Sequence, residues 1–135
     1  TAELAAAAVR ECRAGGGRAA VVPCRSIVQA LAALAVHDPD AAWEDALTAM
    51  TAAAVGTRYA EIPAQGTDAI GAAVGAARSL LDGTEGALVT LVHGPGTPVG
   101  LVEAVVDAVA EAAPGIETAV YAGAPVDLAL AVGVE

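Results

Sequence analysis

The chain has 135 residues, a 56% hydrophobic content carried mainly by Ala, Val and Leu, no Phe, and a net charge of −10 from sixteen acids against six bases. So few basic side chains among so many acids argue against a nucleic-acid footprint or an anionic membrane surface; the acidity in itself mainly indicates solubility and allows a basic partner surface. Gly, Pro or charged residues interrupt every apolar run before the roughly 18–20 residues a membrane span requires, so no span is expected.

The predicted elements alternate. Leu4, Ala8 and Val9 give an amphipathic first helix that stops at Gly15–Gly17, and Arg18 to Val22 reads as a short strand. Ser26 and Gln29 have the spacing of a capping box, with Ile27, Leu31 and Leu34 following at helical intervals. Asp38-Pro39 reads as the next helix start, with Trp43, Leu47 and Met50 on its apolar face and Gly56 as its stop. "TRYAEI" (57–62) alternates as a strand does. Gly66-Thr67-Asp68 then opens a helix carrying Ile70, Val74, Ala77 and Leu81. The continuous apolar run from Ala87 to Val92 predicts a strand buried on both faces. Thr97-Pro98 is expected to cap a helix that turns Val102, Val105 and Val109 inward. "IETAVY" (116–121) and "LALAVGVE" (128–135) complete the strands.

Strands separated by helices predict a single α/β domain over 1–135: a layered sandwich with a mostly parallel sheet, βαβ crossovers and the C-terminal strand as an antiparallel edge. With almost no aromatic rings, its core must come from close packing of small aliphatic side chains between layers. Cys12 and Cys24 lack zinc-site spacing and are expected to be reduced, mostly buried thiols of a cytoplasmic protein. No basic segment leads into an apolar one at the start, so no signal peptide is expected. A chain beginning at Thr1 fits a piece of a longer protein.

Chemistry-bearing motifs are few. "GGGRAA" (15–20) lacks the Lys-Ser/Thr of a P-loop, and "HGPGTPVG" (93–100) has prolines where phosphate-binding N–H groups are needed. Cys24, His93 and Asp127 each fall near a strand end, but nothing in their spacing requires a triad. No metal site or bound cofactor is expected. The candidate ligand- or partner-binding residues are Arg25 and Ser26, where a helix amino end could meet an anion, and His93 and Thr97 at the carboxyl end of the central strand. Local chemistry favours the plainer reading of the first pair, with Ser26 a capping hydroxyl, Arg25 a solvated cation and Cys24 a packed thiol.

"VVPCRSIVQALAALAVHDP" (21–39) resembles the V-V-P-T-[KR]-S stretch, followed by a Gln-Gly-Leu-Ala-Ala-Leu helix, of bacterial proteins with an N-terminal dihydroxyacetone-kinase-L-like domain. "AMTAAAVGTRYAEI", "ALVTLVHG" and "PGIETAVYAGAPVDLALAVGVE" extend the likeness in order across nearly the whole chain. The resemblance is to the C-terminal domain of the catalytic subunit of fatty acid kinase, and it implies a fold related to DegV and dihydroxyacetone kinase modules. It also implies that ATP and magnesium are bound on a separate kinase domain, that a middle domain adjoins this one, and that a DegV-like protein carrying the fatty acid is the partner. This sequence departs from the family pattern at Cys24, where Thr is usual, at "AGA" (122–124) in place of Gly-Gly-Gln, and after Ile62, where a β-hairpin is usual. The function expected is docking of the acyl-carrying partner. An acyl-anion binder holding its ligand through Arg25 and Ser26, and a homodimerisation module, are the alternatives.

Overall fold

The computed structural model describes residues 2–86 and 88–135; Ala87, the first residue of the expected central strand, lies outside them. Five helices and four strands occur among the described residues: α1 (Ala2–Ala14), α2 (Ile27–Ala35), α3 (Trp43–Gly56), β1 (Arg58–Pro63), α4 (Ala69–Leu81), β2 (Leu88–His93), α5 (Leu101–Ala112), β3 (Glu117–Ala122) and β4 (Leu128–Val134).

The sheet order is β1-β4-β2-β3. β4 pairs antiparallel with β1 and with β2, and β2 pairs parallel with β3. The sheet is therefore mixed and mostly antiparallel, which corrects the expected mostly parallel one. The crossovers through α4 and α5 do leave β1, β2 and β3 running in one direction. The correction comes from β4, which slots between β1 and β2 instead of adding at the edge. Its composition explains the position: six of its seven residues are buried, as a strand covered on both faces requires.

The core lies on both sides of β4. On one face Leu130, Val132 and Val134 meet Val89 and Leu91 of β2, Ala73 and Ala77 of α4, and Leu101, Val105 and Val109 of α5. On the other, Val28 of α2 packs with Val92, Ala124 and Ala131, flanked by Ile27, Leu31 and Tyr59. α3 packs on α2. Gly133 sets the height of α2 above the sheet: a Cβ there would stand 2.8 Å from Val28 Cβ and 3.3 Å from Thr57 Cγ2. Small residues thus do the work that rings do elsewhere.

Two helix starts differ from expectation. Asp38 forms a turn, its Oδ1 accepting from the Asp40 N–H at 2.9 Å, and α3 begins only at Trp43. α5 begins at Leu101 behind Gly100, whose φ of 84° is a left-handed conformation that suits glycine. Asp68 behaves as read: its carboxylate caps α4 by accepting from the Gly71 N–H at 2.8 Å. From β1 the chain passes through residues 64–68 directly into α4, with no hairpin between them.

Arg18–Val22 is not a strand. A strand needs a neighbour to take its N–H and C=O groups, and no described strand pairs with this segment. It turns back along α1 instead. The Arg13 guanidinium donates to the Ala19 carbonyl at 3.2 Å, and the Cys12 thiol to that of Arg18 at 3.7 Å.

Candidate functional site

Three places hold the chemistry-bearing residues. The first is the turn before α2. Ser26 is the N-cap of that helix, in extended backbone (φ −143°, ψ 154°), but its hydroxyl makes no capping bond. Neither bond of the expected box forms. Gln29 Oε1 accepts from the N–H of Arg25, not Ser26, at 2.7 Å, while Gln29 Nε2 donates to the Thr57 carbonyl at 3.3 Å. Ser26 Oγ is left buried without a hydrogen-bond partner among the described residues. Leaving such a group unpaired costs on the order of 1–3 kcal/mol. Arg25 is exposed beside it. Cys24 and Cys12 are both free and both exposed, against the expectation of buried thiols, because the segments that carry them lie outside the two core clusters.

The second place is the loop after β2. His93 is half-buried, and its carbonyl accepts from the N–H groups of Gly123 and Ala124 at 2.8 and 2.9 Å. The Thr97 hydroxyl is fully used: it accepts from the Gly94 N–H at 2.9 Å and donates to the Ala129 carbonyl at 2.6 Å. Thr97 therefore ties the loop to β4, where the sequence suggests a helix cap. Thr97→Val keeps the shape and strands both partners, so a loss of about 1–3 kcal/mol in urea unfolding is expected.

These two places are not brought together. Val28 of α2 sits over Gly133, which pairs with Thr90 near the amino end of β2 and with Tyr59 of β1. The Arg25–Ser26 turn therefore lies at the amino end of β1 and β2, and His93 and Thr97 lie at the carboxyl end of β2. The same separation keeps Cys24 from His93, so no triad assembles. Among the described residues, no group of three or more His, Cys, Asp or Glu side chains could hold a metal ion.

The third place is one that residue-by-residue motif reading passes over. α1 buries none of its side chains, and Val21 is 48% exposed. Between α1 and residues 21–25 runs an open groove of about 730 Å³, lined by Ala2, Ala5, Ala6, Val21 and Val22 with Arg25 among its walls. The charge is unevenly spread along the chain. Arg10, Arg13, Arg18 and Arg25 are four of the six bases, and only two of the sixteen acids, Glu3 and Glu11, fall within residues 2–25. Charge counted by segment picks out this arm. Arg18 fastens it to the body: its guanidinium lies 4.9 Å from the centroid of the Trp43 ring and 3.6 Å from the Glu44 carboxylate.

Compared with known families, residues 1–69, half of the chain, match the FakA-like C-terminal model, which describes the C-terminal part of A-type fatty acid kinase subunits. The chain belongs to that family. No curated protein matches it. The matched half of this FakA-like domain takes in the arm, the Arg25–Ser26 turn, α2, α3 and β1, and ends at the first residue of α4. No helix of the domain, among the described residues, is long and apolar enough to cross a membrane.

Proposed function

We propose that this domain docks the acyl-carrying, DegV-like partner of a fatty acid kinase, and that residues 2–25 are the docking element. The domain would perform no bond chemistry itself. Holding the partner would raise the effective concentration of the fatty acid carboxylate at the γ-phosphate of ATP, which is bound on a separate kinase domain with its magnesium. The observation that carries the reading is the arm itself: a helix with no buried side chain, an open apolar groove with Arg25 in its wall, and Arg10, Arg13 and Arg18 elsewhere on the same segment of an otherwise acidic domain.

An unpacked helix of 13 residues is marginal in water. A partner that covers its apolar side supplies the burial that α1 lacks. The four arginines select a partner surface that is apolar at its centre and acidic at its rim, and they speed encounter at low salt. Calorimetric titration of the chain with the fatty-acid-loaded partner should give a saturable heat that weakens as salt rises. Absence of heat at high micromolar concentrations of both proteins would contradict the proposal.

A further inference from the structure

We infer that the amino end of α2 is a binding site for a phosphate group. This goes beyond the docking reading and stands without it. Four kinds of observation converge there.

The first is the open end of the helix. α2 has nine residues, and neither Ile27 nor Val28 donates its N–H to a partner among the described residues. The Gln29 and Ala30 N–H groups are already taken by the Ser26 carbonyl, at 3.1 and 3.2 Å. The two free donors therefore point out of the helix mouth, where the positive end of its dipole lies.

The second is Ser26. The residue is only 6% exposed, it occupies the N-cap, and its hydroxyl has no hydrogen-bond partner among the described residues. An N-cap Ser ordinarily uses this oxygen on the first-turn N–H groups. Here the Ser26 carbonyl takes the Gln29 and Ala30 N–H groups, and the hydroxyl is spare. As the N-cap residue, Ser26 directly precedes the Ile27 and Val28 donors.

The third is Arg25, exposed, adjacent and without an ion pair among the described residues. Its guanidinium is a planar fork of the kind that grips phosphate oxygens two at a time.

The fourth is local charge. No acid occurs between Glu11 and Asp38, although the chain carries sixteen, and the first turn of α2 has none. Helices usually place acids there to meet the dipole. α2 leaves that end uncompensated, with Arg13, Arg18 and Arg25 on the stretch leading up to it.

Two backbone N–H groups, one hydroxyl and a guanidinium fork match the three free oxygens of a phosphate better than the two of a carboxylate. The source can be free phosphate or a phosphate monoester, and the same chemistry recognises both.

The test is titration of the isotope-labelled 135-residue chain with inorganic phosphate, followed by the backbone amide resonances. Saturable shifts at Ile27 and Val28 are expected. Arg25→Ala and Ser26→Ala should each weaken binding roughly tenfold, the equivalent of one charge-assisted hydrogen bond, and Arg58→Ala should not. Ser26→Ala removes an unpaired buried hydroxyl, so the variant should fold as well as the parent, and its weaker binding cannot be ascribed to unfolding. Methyl phosphate run alongside separates the sources: tighter binding assigns the site to monoesters, weaker binding to the free ion, and both support it. Overturning results are no saturable shift, equal shifts with acetate, or unchanged affinity in both variants.

Discussion

Gly133→Val should unseat α2. Gly133 lies in the middle of the sheet, bonded between Thr90 of β2 and Tyr59 of β1, on the face that α2 covers. A Cβ placed there meets the Val28 side chain at 2.8 and 3.0 Å, and Val28 is itself 1% exposed. Neither group can yield. Val28 is branched at Cβ and held by Val92 and Ala131, while the strand is fixed by ladders on both sides. Overpacking of this kind costs about 1–3 kcal/mol, and two branched side chains in opposition belong at the upper end of that range. α3 rests on α2, so Trp43 reports the change. Urea unfolding followed by its fluorescence should show an earlier midpoint. A midpoint equal to that of the parent would show that α2 sits farther from the sheet than these contacts require.

Leu130→Ala should be as damaging from the opposite face. Leu130 is fully buried in the larger cluster, beneath α4 and α5. Removing its branched end deletes buried methyl groups and opens a cavity that the small neighbours Ala73 and Ala77 cannot fill by shifting. The expected loss is about 2–5 kcal/mol in chemical unfolding. Val99→Ala serves as the control, since Val99 is completely exposed and its change should stay within roughly 0.5 kcal/mol. Together the pair distinguishes a central β4 from the edge strand that the sequence pattern suggests.

That edge assignment fails for a physical reason visible in the residues. The apolar run of β2 implies burial on both faces, and the run in "LALAVGV" satisfies the same rule. Position at the chain terminus points to an edge, composition to the centre, and composition is the better guide. Direction is a different matter, because a one-dimensional pattern does not state whether a strand enters a sheet parallel or antiparallel. Strand existence is legible at β1, β2, β3 and β4, and helix periodicity at α2, α4 and α5, since each buries a periodic stripe. The segment from Arg18 to Val22 has strand composition yet no pairing edge, and pairing is a property of the whole fold.

The site is only partly legible. Ser26 and Gln29 have the spacing of a capping box, but the Gln29 side chain bonds one residue upstream and the Gln29 N–H goes to the Ser26 carbonyl, not its hydroxyl; no spacing rule states which group will be taken. Thr97 and His93 stand out for their place after the central strand. The structure commits the Thr97 hydroxyl to β4, a contact across 32 positions of sequence. The arm is legible in charge counts by segment. Averaging the six arginines over the chain conceals it.

The arm, not the body, is proposed to engage the partner. The most direct test is calorimetry of the fatty-acid-loaded, DegV-like partner against the parent chain and against Arg10→Glu and Arg10→Glu/Arg13→Glu variants. Arg10 lies on the exposed arm helix, outside both core clusters, so its reversal should leave the fold intact. The double variant should bind roughly tenfold more weakly or worse, with a shallower dependence on salt. Binding of unchanged strength and unchanged salt dependence in both variants would contradict the proposal.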